Sequence, residues 1–136
     1  MVADAPLELP RPLADQIAEH ARAGLPDEAC GLVSGIGATA TRFHPASNAD
    51  PSPFRYSIDA QDLLRIVTDI DDAEEDLLAI YHSHTRSPAF PSRTDVDLAF
   101  WPAAAYLIVS LASEPPDLKA YTIREGRIAR RQLQIT

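Results

Sequence analysis

With 136 residues, 46% of them hydrophobic, the chain is expected to form one globular domain, residues 1–136, that buries a core without disulfides. Its formal net charge of -8, with no run of basic residues, disfavours nucleic acid and anionic membranes as partners. A lone cysteine (Cys30), no charged leader ahead of an apolar run, and nothing near the roughly 18 apolar residues of a membrane span point to a soluble, cytoplasmic protein.

In chain order, residues 6–10 suit a short edge strand. Pro12 suits the first turn of a helix on which Leu13, Ile17, Ala18 and Ala21 recur at helical spacing, with Gly24 as its stop and Pro26 just beyond. Residues 29–34 read as an apolar strand, 35–37 as a turn and 39–44 as its partner. The three prolines of residues 45–53 make that stretch a loop, and 54–58 reads as extended. Asp59 is placed to cap a helix carrying Leu63, Leu64, Val67 and Ile70 on one face, which ends in the acidic segment 69–76. A strongly apolar, central strand is expected over 77–84, then a proline-bearing loop and a short helix over about 93–100. Three strands follow, near 105–111, 118–124 and 127–135, the last two as a hairpin turning at Glu125-Gly126. Interspersed helices and strands around one mixed, mostly antiparallel sheet give an α/β class.

The chemistry is concentrated in Tyr81-His82-Ser83-His84, followed by Ser92 and Asp95. Side chains alternate along a strand, so His82 and His84 face the same way and Ser83 the other. Two adjacent imidazoles suit a borderline-soft cation such as zinc. Asp95, in the first turn of the short helix, is positioned to supply a third ligand. Asp97 is two residues further round and faces away. Three protein ligands leave one position open, the mark of a catalytic rather than a structural zinc. A cation lowers the pKa of water it binds from about 15.7 to about 7, and a base is still needed to move the proton. Glu28, at the start of a strand, is the candidate, with Asp27 the alternative. Ser92 offers a hydroxyl for an oxyanion.

Each residue has a plainer role available. Ser92 with Asp95 three residues on matches a helix-capping arrangement, and Asp95 also suits a helix N-terminus on charge alone. A surface glutamate is the ordinary condition of Glu28. For His82 or His84 taken singly, the prior for a ligand is about one in ten, but His-x-His-x7-Ser-x2-Asp arises by chance in fewer than about one such chain in a thousand. His20 and His44 are isolated, and Cys30 sits in an apolar run as a packed thiol. Ser83 faces away from both histidines, which excludes a Ser-His-Asp reading. One cysteine cannot supply the paired-cysteine segment of zinc-deaminase chemistry.

His82, His84, Ser92 and Asp95, with Glu28 upstream, resemble the signature of the JAMM (MPN+) zinc metallopeptidase family. Pro26 to Gly31, Asn48 to Tyr56 and Tyr81 to Val96 are most similar to its bacterial Mec branch, the CysO-cysteine peptidases. The similarity runs from about residue 13 to the C-terminal strands. The resemblance implies a JAMM/MPN-like (cytidine-deaminase-like) fold and one zinc held by His82, His84, Asp95 and water. It also implies Glu28 as acid/base and Ser92 steadying the oxyanion. The reaction implied is hydrolysis after the carboxy-terminal Gly-Gly of a ubiquitin-like sulfur carrier of the CysO kind, releasing cysteine in cysteine biosynthesis. The family also suggests a homodimer. Arg86, Phe90 and Arg93 are positioned to line the path of the carrier's tail. Two other expectations stand beside this one: an isopeptidase acting on other ubiquitin-like conjugates or small peptides, and a zinc-stabilised interaction module without turnover, whose fourth zinc position a protein side chain would fill.

Overall fold

The computed structural model describes residues 4–136. Strand β1 (Leu7–Leu9) leads into helix α1 (Arg11–Ala23), whose buried face is Leu13, Ala14, Ile17 and Ala21. Pro12 lies in the first turn, where its missing N–H has no intrahelical partner to lose. Gly24 does end α1, but at an ordinary φ of -79° rather than a left-handed one. Its small size still matters, because an added Cβ would lie 3.0 Å from that of Ala29. Strands β2 (Cys30–Ile36) and β3 (Thr39–Ala46) follow, with Gly37 at φ 65° making the turn. The turn is later than expected because β2 continues through Gly35 past a bulge.

Helix α2 (Ala60–Asp72) is capped by Asp59, whose side chain accepts from the Asp62 N–H at 3.0 Å. The face it buries differs from expectation. Ile66 and Ile70 are buried, Leu63 and Val67 partly so, and Leu64 points to solvent. Positions 63, 66, 67 and 70 form the i, i+3, i+4, i+7 stripe, and Leu64 falls off it.

Strand β4 (Asp76–His84), helix α3 (Arg93–Asp97) and strands β5 (Ala105–Ser110), β6 (Asp117–Arg124), β7 (Arg127–Arg131) and β8 (Leu133–Ile135) complete the order. Glu125 and Gly126 both have positive φ, 53° and 75°, as a two-residue type I′ hairpin requires. Helix α3 stops at Asp97, short of the expected end near Phe100.

One sheet contains all eight strands, in the order β7-β6-β5-β4-β2-β3-β1-β8. Four pairings are antiparallel, and three (β1 with β3, β1 with β8, β4 with β5) are parallel. Two expectations give way here. Residues 6–10 do not form an edge strand, since β1 lies between β3 and β8. Residues 127–135 are not one strand, since the chain leaves β6 after Arg131 and pairs Leu133–Ile135 with Leu7–Leu9. Only Gln132 separates β7 from β8, and its carbonyl accepts from the Leu7 N–H at 2.9 Å. Two strands at opposite ends of the order are therefore no more than about 7 Å apart along the chain, so the sheet curls until its ends meet.

The two faces carry separate cores. Leu13, Ile17 and Ala21 of α1 pack with Val33, Ala79, Tyr81, Leu107 and Val109 on one side. Ile66 and Ile70 of α2 pack with Leu32, Ile80 and Tyr106 on the other. Alternation along β4 then decides the placement of the site. Tyr81 and Ser83 belong to the α1 face, and His82 and His84 follow Ile80 onto the α2 face, at the carboxyl end of a central strand.

Candidate metal centre

His82 and His84 are buried at that strand end, 1% and 3% exposed. His82 lies opposite Cys30 of β2 and Ile108 of β5. Asp95 comes to them from α3. The Ser92 Oγ accepts from the Asp95 N–H at 3.1 Å and Asp95 Oδ2 accepts from the Ser92 N–H at 2.9 Å, a complete capping box. The same Oδ2 lies 3.1 Å from His82 Nε2 and 2.9 Å from His84 Nε2, and the two ring nitrogens are 3.2 Å apart.

This donor set suits a divalent ion. Tetrahedral donors about 2.0–2.1 Å from zinc sit about 3.3 Å from one another, close to the three observed separations. Two imidazole nitrogens facing each other need a cation or a shared proton between them. His84 Nδ1 is 2.8 Å from the Pro88 carbonyl, which selects the tautomer that leaves Nε2 with its lone pair toward the centre. The His82 ring is held by Tyr56, stacked at 4.4 Å with the planes 17° apart, while its Nδ1 is buried without a partner. Among the described residues these three form the one group of three or more His, Cys, Asp or Glu ligand atoms close enough to share an ion.

The electrostatics follow from burial and proximity. Burial alone would raise the Asp95 carboxyl, but hydrogen bonds from His82 and His84 hold it far below the usual carboxylate range. Burial pushes His82 down, toward the neutral ring a metal needs. His84 is also pulled down by burial, yet the bonds to Asp95 and to the Pro88 carbonyl bring it above its ordinary value.

Glu28 stands two residues before β2, 5% exposed. Its N–H donates to the Ser52 carbonyl at 2.8 Å, and its carbonyl accepts from Asn48 Nδ2 at 3.0 Å. Its Oε1 is buried with no partner. Burial pushes the carboxyl up to about 8, His84 opposing the rise and Asp95 adding to it. A carboxyl titrating near neutrality beside three convergent donors is equipped to take up and give back a proton. Asp27, the alternative base, is only half-buried.

The remaining candidates sort by contact. Ser83 Oγ accepts from the Ala29 N–H at 2.8 Å on the opposite face, a strand-locking bond. Cys30 is fully buried, and burial, with Asp62 and Glu28 adding, pushes its thiol up to about 12. His20 lies 3.2 Å from the Tyr81 hydroxyl, and His44 Nε2 lies 2.7 Å from Ser34 Oγ, so both have local partners. Asp97 points away, 4.0 Å from Arg93. Phe90 packs edge-on to Tyr121. Sequence reasoning missed Tyr56 as the residue that orients His82. It lies in the irregular segment between β3 and α2, which carried no periodicity to single it out.

The family model for prokaryotic homologs of the JAB domain matches residues 10–124. The chain is 38% identical over 126 residues to the CysO-cysteine peptidase of Mycobacterium tuberculosis, covering 90% of this chain and 86% of that one. It is 39% identical over 103 residues to the desampylase of Haloferax volcanii, covering 71% and 74%. A solution structure from Desulfitobacterium hafniense superposes with a TM-score of 0.87 at 34% identity, covering 95% of this chain and 92% of that one. With the fold, the histidine pair and the matched span in agreement, the chain belongs to the prokaryotic JAB-domain branch of the JAMM/MPN peptidase family.

Proposed function

We propose that the chain is a zinc peptidase that hydrolyses the bond after the carboxy-terminal Gly-Gly of a ubiquitin-like sulfur carrier and releases cysteine, acting in the cytoplasm as one domain. The observation that carries the catalytic part is the buried, unpartnered Glu28 carboxyl beside the convergence of His82, His84 and Asp95. The substrate is supported by the similarity to the mycobacterial CysO-cysteine peptidase along most of both chains.

His82, His84 and Asp95 would hold the zinc, which when bound supplies a Lewis acid to polarise the scissile carbonyl and acidify water. Glu28 takes the proton from the attacking water and returns it to the departing amine nitrogen. The Ser92 hydroxyl accepts from the Asp95 N–H through its oxygen, so its own proton is available to donate to the developing oxyanion. Tyr56 and the Pro88 carbonyl fix the two rings in orientation.

Similarity to a desampylase favours a second reading, a protease acting on other ubiquitin-like conjugates. Incubating the protein with several carrier adducts and weighing the products distinguishes the two. The non-catalytic module is disfavoured because the cluster offers three side chains, not four, among the described residues. The decisive experiment combines elemental analysis with cleavage of a carrier ending in Gly-Gly-Cys. About one zinc per chain is expected, and Glu28→Gln should keep the metal while cleaving at least about 100-fold more slowly. A Glu28→Gln protein as fast as the parent would falsify the assignment of the base.

A further inference from the structure

We propose that the cleft bounded by Leu25, Pro26, Pro53, Phe54, Thr85 and Arg86 receives the released residue, and that Arg86 pairs that residue's free α-carboxylate. The inference rests on the reading of the chain as a peptidase acting at a carboxy terminus, and it names what selects such a terminus.

The walls of the cleft are continuations of the segments that carry the centre. Thr85 and Arg86 follow the ligand His84 directly, and Leu25 and Pro26 lie three and two residues before Glu28. Hydrogen bonds hold the remaining wall in place. The Thr85 hydroxyl donates to the Pro53 carbonyl at 3.1 Å, and the Glu28 N–H donates to the neighbouring Ser52 carbonyl at 2.8 Å. No wall is therefore more than a few residues of backbone from the reacting groups, about 7 Å in the case of Arg86 and His84. The space is about 380 Å³, at the small end of ligand sites. Its lining is apolar apart from Thr85 and Arg86, and Leu25 and Phe54 stand exposed at 49% and 74%.

Charge identifies the occupant. Hydrolysis breaks the C–N bond after the second glycine, places the water's oxygen on the glycine carbonyl carbon and leaves a proton on the departing amine. If the departing group is a single terminal residue, its carboxylate carbon lies two bonds from that nitrogen. If the departing group is a lysine side chain of another protein, no carboxylate is there. Arg86 is exposed and makes no ion pair among the described residues; Arg11, Arg127, Arg130 and Arg131 are also without one, but of these five only Arg86 lines this cleft, and Arg22, Arg42, Arg55, Arg65, Arg93 and Arg124 are paired. In a chain of net charge -8, an anionic tail is repelled except where such a cation faces it. A guanidinium reads a carboxylate through two parallel N–H···O bonds, and the apolar walls suit a small side chain such as that of cysteine.

The test compares carrier substrates ending in Gly-Gly-Cys as the free acid and as the carboxamide. The parent should cleave the acid about 10- to 100-fold more efficiently in kcat/KM, and in Arg86→Gln the ratio should collapse toward one, with Arg86→Lys in between. Calorimetric binding of the same two substrates to Glu28→Gln protein gives a readout without turnover and should show the same preference. Equal handling of acid and amide by the parent, or an Arg86→Gln variant that slows both alike, overturns the subsite and leaves the peptidase reading standing. Cleavage of neither substrate by zinc-loaded parent overturns both.

Discussion

At the scale of single residues, Glu28 shows how far burial can shift an ordinary carboxyl. Its folded-state pKa, about 8 against an ordinary 4.5, means that the neutral form is favoured by folding. For a carboxyl shifted upward, that contribution is fully present below about pH 4.5 and is lost as the pH rises through about 8. The metal-free parent should therefore lose on the order of 2–4 kcal/mol relative to Glu28→Gln between pH 5 and pH 8. Denaturant titrations of both metal-free proteins at the two pH values measure it. His84 and Asp95 are coupled to Glu28, so the difference between the two proteins measures Glu28 together with that coupling. Parallel pH profiles would show that Glu28 is well solvated and unsuited to acid/base work. The sequence displayed His82, His84 and Asp95 because three side chains at fixed spacing are a one-dimensional pattern. It offered Glu28 only by its place at the start of a strand, with Asp27 as a rival, because its burial depends on Ser52 and Asn48, which reach it from another part of the chain.

At the scale of elements, helix α3 has five residues, too few to be stable alone, yet it brings the Asp95 carboxylate onto the two histidines. The capping box is what makes that possible. Asp95 Oδ2 receives the Ser92 N–H and faces both histidines with the same atom. The cap and an oxyanion role for Ser92 can be separated by substitution. Glycine is a tolerable N-cap, a few tenths of a kcal/mol worse than serine, whereas alanine costs about 1 kcal/mol. Ser92→Gly should leave zinc content and unfolding free energy within about 0.5 kcal/mol of the parent while lowering kcat roughly 100-fold through the lost hydroxyl. A kcat within about threefold of the parent would reduce Ser92 to a cap. Element positions were legible wherever the pattern was local. The apolar alternation of β4, the Asp59 cap and the Glu125-Gly126 turn all carry their signal within a few residues. The α2 face was misjudged at Leu64 because adjacent leucines leave the phase of a helix ambiguous, and Ile66 settles it only once β4 and β5 lie against it.

At the scale of the whole molecule, the least legible feature is the closure of the sheet by β8. Residues 127–135 read as one strand because nothing local marks the break at Gln132, and the reason for the break is a partner more than 120 residues away. Leu7, Glu8 and Leu9 pair in parallel with Leu133, Gln134 and Ile135, and the Thr136 N–H donates to the Leu9 carbonyl at 3.0 Å. Leu133 and Ile135 also pack, half-buried, against the α1-side core in which Leu7 and Leu9 are fully buried. Removing residues 133–136 would expose those two leucines, open the hydrogen-bonding edge of β1 and delete two apolar side chains. Half-burial of the latter contributes about 1 kcal/mol each, and uncovering Leu7 and Leu9 costs a comparable amount. A total of about 3–4 kcal/mol corresponds, for a chain of this length, to a drop of about 10–15 °C in the unfolding midpoint. Calorimetry of parent and truncated protein, both zinc-loaded, measures it. Zinc affinity of the folded truncated protein should stay unchanged, because β2 and β3 stand between β4 and the opened end of the sheet. The bare β1 edge should also make the truncated protein associate at concentrations where the parent does not. A midpoint within about 3 °C of the parent would show that the curled sheet holds without its last strand, and that β8 decorates an edge rather than closing it.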